Sequence, residues 1–526
     1  MQADLILHHG RIYTVDAAFS QTEALAIRDG LIQAVGSNQD ILGRFEAPQK
    51  IHLGGKSVYP GFIDAHGHLS RYGRSRFEAD LRDAESWEAC VDRLRAFAQT
   101  QPEGWLIGRG WDQTRWVGRK FPDKRLLDEA FPDRPVLLER VDIHAMVVNQ
   151  YLLDQTGLTP ESHIPGGEIG VEEGELTGLL IDAAQQPVWD LMPPSRPEDL
   201  RRYLRQAAHD CARVGLTGVG DALLDHDSIV AIRQLQQAGE FPLRVYGMLP
   251  ADEAHRDRYL HQGPQRDEWL HLGGFKFFAD GTLGSRSAWL SEPYADAPAQ
   301  VGLALLAGFP MRDWLMALHH HGWQAVTHAI GDAACRWVLD RYAEVMPSGN
   351  PLRWRIEHLQ VLTPEDCQRV AALGVIPSLQ PTHCTSDMRW VGARLGTERE
   401  KWGYRQASLL EQGGLVALGS DFPVESINPL LGFYAAITRQ DLQGWPENGY
   451  LPNERLTRVQ ALRGMTIWAA YAQGEEAWRG SLEPGKVADL LVMPLDLMKA
   501  PPEEIAQAQI EAVGLAGKMV FGEETF

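Results

Sequence analysis

Six side chains of the kinds that bind metal ions or move protons follow short apolar segments of this sequence. They are His66 and His68 in GFIDAHGH, Lys276 in GGFKFFADG, His328 in THAIGD, His358 in IEHLQ and Asp421 in GSDFPV. Residues i and i+2 of an extended chain point to the same face, so His66 and His68 can reach one cation together. Four neutral imidazoles and a carboxylate form a ligand set that suits zinc or a similar divalent ion. Each residue alone has an ordinary structural explanation, and their shared position at strand ends is what favours a metal site.

Lys276 needs a different chemical form, because a protonated ammonium cannot ligate a metal ion and repels one. It lies in the apolar segment GGFKFFA, and a dry environment lowers the pKa of a lysine and favours the neutral amine. A neutral amine can react with carbon dioxide to give a carbamate, which is anionic and able to bridge two metal ions. Lys276 is therefore a candidate for carboxylation.

The segments that precede these side chains alternate with helical patterns, which is typical of a parallel sheet with crossover helices. After the strand that ends in His66, the candidate strands cover 216–224, 242–249, 273–281, 323–331, 353–360, 374–381 and 414–424. Eight strands with intervening helices are the number in a TIM barrel, whose catalytic groups lie at the carboxyl ends of the strands. The pattern predicts an α/β fold in which the six side chains share one rim.

The two ends of the chain differ from this middle region. Residues 1 to about 56 and the segments SLEPGKVADLLVMPLD and IEAVGLAGKMVFGEE show short strands and glycine turns. We therefore expect one small sheet domain assembled from both termini, with parts at 1–59 and 476–526 and the barrel at 60–475. The barrel region is longer than the roughly 250 residues of a plain barrel. Its largest insertion, at about 71–193, follows the first strand and is a candidate cover for the substrate.

Composition and charge restrict the kind of partner. A formal net charge of −20 argues against binding to nucleic acid or to an anionic membrane, because a polyanion would be repelled over most of the surface. The five scattered cysteines contain no Cys-x-x-Cys pair and indicate a reducing compartment. The N-terminal sequence lacks the pattern of a signal peptide, and no apolar run is long enough to span a bilayer. We expect a cytoplasmic protein that acts on a small molecule.

The six motifs, in this order and with the C-terminal LEPGKVADLLV, resemble those of the amidohydrolase superfamily, in particular the subgroup that includes the N-substituted formamide deformylases. The resemblance extends over nearly the whole chain. It implies a distorted (β/α)8 TIM barrel with a small composite β-sandwich and a metal site at the barrel mouth. It also implies a ligand set: His66, His68 and Asp421 for one ion, His328 and His358 for the other, and carboxylated Lys276 as the bridge.

The activity that the resemblance implies is the hydrolysis of a non-peptide carbon–nitrogen bond by an enzyme with two divalent ions, most simply zinc. The ions would lie roughly 3.5 to 4 Å apart and share a hydroxide. That hydroxide would attack the carbonyl group of a small-molecule amide such as an N-substituted formamide, while Asp421 would accept its proton and pass it to the leaving nitrogen. Related enzymes are often dimers, so a homodimer stays an open expectation.

Further candidates for substrate binding come from the loops. Trp111, Asp112 and His144 lie in segments that resemble ones near the pocket in this subgroup, although aromatic packing is an alternative role for Trp111. Arg286, in LGSRSA, could hold a carboxylate or carbonyl group of the substrate. An ion pair between Arg286 and an acid of its own loop is the alternative.

The end of the seventh strand supplies two more candidate pocket residues, Gln380 and His383. Two other polar residues, Asp332 and Gln360, are candidates for orienting the histidines of the second ion, Asp332 for His328 and Gln360 for His358.

Two other functions remain open at this stage. A mononuclear deaminase or cyclic-amide hydrolase would use one ion and leave Lys276 unmodified. The residues after His358, Leu359 and Gln360, disfavour that reading, because those branches usually place other acid or base residues there. A barrel that keeps the fold and serves as a non-catalytic binding or regulatory protein is the other alternative, and the complete ligand set argues against it.

Overall fold

The computed structural model describes residues 1–101, 103–141, 143, 145–165, 167–193, 195–346 and 349–522. The chain divides into two compact units, of which the first comprises Met1–Leu69 with Ala207–Phe526 and the second comprises Ser70–Gln206. The second unit contains the whole of the insertion expected at about 71–193. The boundaries expected between barrel and sandwich stay predictions.

The first unit contains the predicted barrel. Its eight parallel strands are Phe62–Gly67, Leu216–Asp221, Arg244–Pro250, Leu270–Phe278, Gln324–Ala329, Arg355–His358, Ile376–Leu379 and Ala417–Leu418, hydrogen-bonded in this order. Nearly every residue in these strands is buried. This is expected because helices cover the outer face of the parallel sheet, and side chains packed inside the barrel cover the inner face. The α/β barrel predicted from the apolar segments is confirmed, and every strand lies within or beside its expected segment.

Backbone hydrogen bonds close the barrel between its first and eighth strands. The Asp421 N–H donates to the His66 carbonyl at 2.7 Å, and the His68 N–H donates to the Phe422 carbonyl at 2.9 Å. Gly67 makes this approach possible, because a Cβ on it would lie 2.4 Å from the Phe422 ring. The seam of the barrel therefore passes through three of the six predicted metal ligands.

Two further sheets of the first unit combine both ends of the chain. One contains, in order, Leu31–Gly36, Ala24–Arg28, Leu5–His8 and Gln49–His52. The other contains Lys518–Phe521, Ala512–Leu515, Leu490–Met493, Ser57–Pro60, Arg11–Tyr13 and Gln21–Thr22. Residues of both sheets, such as Leu7 and Leu490, share one apolar core. The two sheets thus form the composite sandwich that the sequence predicts.

The second unit is built on a sheet of its own. Its strands are, in order, Gly167–Glu172, Glu175–Asp182, Ala145–Val148, Val136–Arg140, Leu106–Trp111 and Ala79–Asp80. Alternate residues of the central strands face two separate apolar clusters, with Leu138 in one and Leu137 in the other. This unit therefore has its own core.

Helices follow most barrel strands, as the alternating pattern predicts. Between residues 197 and 464 they are Pro197–Arg213, His226–Gln237, Glu253–Tyr259, Met311–His321, Asp332–Val345, Pro364–Ala372, Pro381–Asp387, Val391–Arg399, Gln406–Gly413, Pro429–Thr438 and Arg458–Gly464. The remaining helices are Asn38–Arg44, Leu69–Ser75, Trp87–Ala98, Arg125–Ala130, Gln150–Thr156, Gln186–Leu191, Ile467–Ala472 and Pro502–Ile505. Among the described residues, no helix combines the length and apolar character needed to cross a bilayer.

Candidate active site

The seam of the barrel brings a carboxylate against two imidazoles. Asp421 Oδ1 lies 3.1 Å from His68 Nε2 and 3.4 Å from His66 Nε2. His66 and Asp421 are buried, and His68 is partly buried. Asp421 has a left-handed backbone with φ of 63°, a conformation that costs free energy in a residue other than glycine and is found often at functional sites. The structure thus places together the three residues expected to hold one ion.

The two other histidines lie beside this group. The His358 ring is 5.0 Å from that of His66 and 4.5 Å from that of His328, measured between centroids. His66, His358 and Asp421 each offer a ligand atom within 4.8 Å of the others. His328 Nε2 lies 3.1 Å from the Gly281 carbonyl oxygen, to which it can donate. The five residues form one continuous cluster, in which His358 is close to both expected groups.

Lys276 is enclosed in the same part of the barrel. Its side chain is buried, and Nζ lies 4.7 Å from the centre of the Phe278 ring. Burial lowers the pKa of Lys276 to about 8, although the nearby carboxylates Glu357 and Asp421 oppose the shift. About a tenth of this lysine is therefore a neutral amine at pH 7, many times the fraction in an exposed lysine, and the neutral amine is the form that can react with carbon dioxide.

The electrostatic environment keeps two of the histidines neutral. Burial lowers the pKa of His68 to about 4. Burial, and then the neighbouring His328, lowers the pKa of His358 well below its usual value. His66 differs, because Glu357 and Asp421 raise its pKa although burial and Lys276 oppose the shift. Neutral imidazoles are the metal-binding form, and the two carboxylates around His66 favour a positive charge between them.

Unpaired atoms at this site fit a metal ion. Among the described residues, the buried atoms His66 Nε2, His383 Nε2 and Asp421 Oδ1 have no hydrogen-bond partner. The 3.1 Å approach of His68 Nε2 to Asp421 Oδ1 does not satisfy hydrogen-bond geometry. An unsatisfied buried polar atom costs roughly 1 to 3 kcal/mol. Nitrogen and carboxylate donors facing one another without partners are the arrangement that a borderline divalent ion would satisfy.

The end of the seventh strand adds two polar residues to the cluster. Gln380 Oε1 lies 2.7 Å from His358 Nδ1 and accepts a hydrogen bond from it. The His383 ring stacks on that of His358 at 5.8 Å, and His383 Nε2 lies 3.7 Å from Asp421 Oδ2. Both residues therefore reach the predicted metal site, whereas their contact with a substrate stays a prediction.

The residues expected to orient the second pair of histidines have other partners. Asp332 accepts a hydrogen bond from the Ser291 N–H at 3.0 Å, and the Gln360 side-chain amide lies 3.2 Å from His383 Nδ1. The expectation that Asp332 orients His328 and that Gln360 orients His358 is wrong, since Gln380 occupies that position on His358. The error at His358 concerns a contact between neighbouring strands, whereas Asp332 begins a helix and binds the loop residue Ser291. Spacing along one strand carries no information about either contact.

Arg286 takes the second of its two expected roles. Its Nε and Nη2 atoms donate to the two oxygens of Asp296 at 3.0 and 2.9 Å, and the Arg394 guanidinium contacts the same carboxylate. A bidentate pair of this kind fixes the guanidinium plane. Binding of a substrate by Arg286 would have to compete with Asp296.

Trp111 and Asp112 belong to the second unit and have partners within it. Trp111 is fully buried in the core of that unit and donates from Nε1 to the Leu138 carbonyl at 2.8 Å. Asp112 Oδ1 accepts from Arg140 Nη2 at 2.9 Å. His144 lies outside the described residues. A pocket role for all three stays a prediction.

The sequence reasoning missed several buried acids at the site, of which Glu357 and Asp64 contact His66. Glu357 Oε2 lies 2.5 Å from His66 Nδ1. Burial raises the pKa of Glu357, but Arg355 and His66 lower it by more, so that the pKa is about 2. Asp64 accepts from the backbone N–H groups of His66 and Ser420, each at 3.0 Å. A carboxyl group within a buried strand, Asp64 in GFIDAH and Glu357 in RWRIEH, was the available signal.

Comparisons with known proteins agree with this geometry. A family model described as the amidohydrolase family matches residues 49–521. The YtcJ protein of Bacillus subtilis is 32% identical over 98% of this chain and 99% of its own. N-substituted formamide deformylase of Arthrobacter pascens is 27% identical over 96% of each chain. The crystal structure of an uncharacterized metal-dependent hydrolase from Pyrococcus horikoshii superposes with a TM-score of 0.79 at 26% identity, over 95% of this chain and 99% of that one.

The barrel has a cluster of buried imidazoles and carboxylates at its seam. The family model matches nearly the whole chain, and the two observations together define the class of this protein. The chain belongs to the amidohydrolase family and is a metal-dependent hydrolase.

Proposed function

We propose that this protein hydrolyses an exocyclic amide bond of a small molecule, of the N-substituted formamide or related N-acyl amine class, with two zinc ions. The proposal rests most directly on the continuous cluster of His66, His68, Asp421, His358 and His328, in which the His358 ring lies 5.0 Å from that of His66 and 4.5 Å from that of His328. His66, His68 and Asp421 would hold one ion, and His328 and His358 the other. A divalent ion in this cluster would supply Lewis-acid activation of a water molecule and of the amide carbonyl.

Lys276 is the proposed bridging ligand, in carboxylated form. The support is its burial and the lowered pKa, about 8, that follows from burial. Whether this lysine is modified decides between a bridged pair of ions and a single ion.

Asp421 is the proposed proton carrier. One of its oxygens faces His66 and His68, while the other lies 3.7 Å from His383 Nε2. A carboxylate in this position can accept a proton from the attacking water and donate it to the leaving nitrogen, so that a carboxylate and an amine are the products. His383, which lies beside the other oxygen of Asp421, would then contact the substrate.

The relative from Arthrobacter pascens, described as an N-substituted formamide deformylase, favours a formamide among the amides. That activity is the relative's own, and 27% identity leaves the residues around the substrate free to differ. The proposal for this chain is therefore the class of exocyclic amide, with formyl amines as the first compounds to test.

A single-ion enzyme is the second candidate, because one observation favours it. The ligand atoms that converge belong to His66, His358 and Asp421, which mixes the two expected groups. An enzyme of this kind would be a deaminase or a cyclic-amide hydrolase and would leave Lys276 unmodified.

The test begins with the metal content of protein purified without chelators, measured by inductively coupled plasma mass spectrometry. Two equivalents of zinc per chain, with a carbamate signal after incubation with 13C-labelled bicarbonate, are expected. One equivalent and no such signal would favour the single-ion enzyme. Activity is then measured on N-formyl and N-acyl amines, with release of carboxylate and amine as the readout. Absence of ion binding in the presence of zinc and bicarbonate would overturn the proposed function.

A further inference from the structure

A buried charged pair stands behind one of the proposed metal ligands. Glu357 Oε2 lies 2.5 Å from His66 Nδ1, and Glu357 Oε1 lies 2.6 Å from Arg355 Nε. The side chains of Glu357 and Arg355 are both 0% exposed. Arg355 also donates to the Ala65 carbonyl at 2.9 Å, which anchors the guanidinium to the strand that carries His66. The order Arg355, Glu357, His66 is therefore fixed by the sixth and first strands of the barrel.

The chemistry of these groups decides which nitrogen of His66 carries the proton. The contact between Arg355 Nε and Glu357 Oε1 is an ion pair without hydrogen-bond geometry, and the positive guanidinium attracts the carboxylate oxygen that faces it. The other oxygen of the Glu357 carboxylate, Oε2, can only accept, so the His66 nitrogen that faces it has to donate. A metal ion would displace the second proton of His66, and the nitrogen that is left with the lone pair is then the one that does not face Glu357. That nitrogen is Nε2, which lies 3.4 Å from Asp421 Oδ1.

We propose that Glu357, held by Arg355, is a positioning residue that fixes His66 as the Nδ1–H tautomer, so that Nε2 is available to a metal ion. The inference rests on the proposed function, since it assumes that His66 is a ligand. It adds a role for two residues outside the expected ligand set.

His358 shows how differently another histidine of the cluster is held. Its Nδ1 donates to the neutral side-chain amide of Gln380 at 2.7 Å. A carboxylate is the stronger acceptor and raises the basicity of the ligand nitrogen on the far side of the ring. We therefore expect the ion at His66 to be bound more tightly than the ion at His358.

The substitution E357Q tests the tautomer directly. Arg355 would retain the amide oxygen of the new side chain, because it can only donate, and the NH2 group would then face His66 Nδ1. His66 would have to accept at Nδ1 and carry its proton on Nε2, which blocks ligation. We expect zinc affinity to fall by about 10- to 100-fold, as is typical when a carboxylate behind a metal-bound histidine is lost.

A double substitution separates positioning from support of the fold. In R355M/E357Q the arginine no longer holds the amide oxygen, so the amide can rotate and accept from His66 Nδ1. Its zinc affinity should recover towards that of the natural protein. R355M/E357M removes the same pair but offers no acceptor, and its affinity should stay low. A purely structural pair predicts that both double variants are equally impaired.

A matched control exists on the same unit. Asp489 and Arg244 form a second buried pair, at 2.6 and 3.0 Å, that contacts none of the six proposed ligands among the described residues. D489N should lower the melting temperature and leave zinc affinity unchanged.

The measurement is a competition titration of the apo full-length chain with zinc and a chromophoric chelator, accompanied by circular dichroism melts. Weaker binding by E357Q with recovery in R355M/E357Q is the expected result. Equal affinities for E357Q and the natural protein, or equal affinities for the two double variants, would overturn the inference. If E357Q does not fold, the comparison between the double variants still decides. Failure of the natural chain to bind zinc would instead overturn the proposed function.

Discussion

Asp421 is the residue on which three imidazoles converge, and its two oxygens have different neighbours. Oδ1 faces His66 and His68 at 3.4 and 3.1 Å, whereas Oδ2 faces His383 at 3.7 Å. The imidazoles of His66 and His68 hold the pKa of Asp421 well below its usual value although burial opposes the shift. The side chain is therefore an anion in the folded protein, with one oxygen available to an ion and the other to a reacting group.

The substitution D421N should abolish turnover with the fold intact. Asparagine has nearly the same shape, but it is neutral and cannot carry a proton between water and a leaving nitrogen. Loss of a general acid or base typically costs about 10²- to 10⁴-fold in rate. We expect kcat to fall by at least this factor on any amide that the natural protein hydrolyses, while the circular dichroism spectrum is unchanged. Retained turnover would contradict both the assignment of Asp421 and the proposed chemistry.

Arg286 is a second residue for which the structure favours one role, an ion pair, over contact with a substrate. Its guanidinium spans both oxygens of Asp296, and the exposed fractions of the two side chains are 33% and 24%. Such partly exposed pairs contribute about 0 to 1 kcal/mol, and Arg394 would remain on Asp296 after the change.

We expect R286A to leave KM within about tenfold, which corresponds to less than about 1.4 kcal/mol of binding, and to lower stability slightly. D296N is the control, because it breaks the pair and keeps Arg286. A large rise in KM for R286A alone would restore the role in substrate binding.

The elements of the barrel could be predicted because each signal is local. Apolar segments with polar residues at their carboxyl ends are visible in the sequence, and the eight strands lie at those segments. The partner of His358 could not be predicted, because Gln380 follows the neighbouring strand and the contact between the two side chains runs across the sheet. The eighth strand is also shorter than expected, Ala417–Leu418, since Ser420 leaves the ladder to bond Asp64.

The helix Pro381–Asp387, which carries His383, ends in an acid with an unusual pKa. Burial raises the pKa of Asp387 to about 8, with a further increase from Glu425, although a hydrogen bond from Tyr404 opposes the shift. The folded chain therefore keeps a proton that the unfolded chain loses above about pH 4. This group makes folding less favourable as pH rises from about 4 through 8.

We expect D387N to remove that part of the pH dependence, because its side chain is neutral at every pH and can still accept from Tyr404. Urea unfolding at pH 5.5 and 8.5 would measure it. The free energy of unfolding should fall between these values by more in the natural protein than in D387N. Parallel changes in the two proteins would contradict the raised pKa.

At the scale of the whole molecule, the sandwich and the barrel are joined through one strand. Ser57–Pro60 pairs with Arg11–Tyr13 on one side and with Leu490–Met493 on the other. One residue later the chain enters Phe62–Gly67, the strand that carries His66. Gly61 allows this passage, because a Cβ on it would lie 2.2 Å from Thr217. The sequence showed strands at both ends, but only the pairing shows that they support the metal-binding strand directly.

Removal of metal should therefore loosen one region and spare another. The six proposed ligands all belong to the first unit, and the unit Ser70–Gln206 contributes none of them. An ion that binds only the folded chain stabilises it by about 2.7 kcal/mol when its concentration is 100 times the dissociation constant. Treatment with a chelator should lower the melting temperature, and zinc should restore it.

Hydrogen–deuterium exchange followed by mass spectrometry would show which backbone segments loosen when the metal is removed. After chelation, exchange should increase at the carboxyl ends of the barrel strands, around His66, His328, His358 and Asp421, because those backbones lose the constraint of a shared ion. The sheet of the second unit, from Leu106 to Asp182, should exchange as before, since its own core holds it together. Equal loosening of both regions would mean that the ion stabilises the chain globally, whereas no change at the strand ends would remove those residues from the metal site.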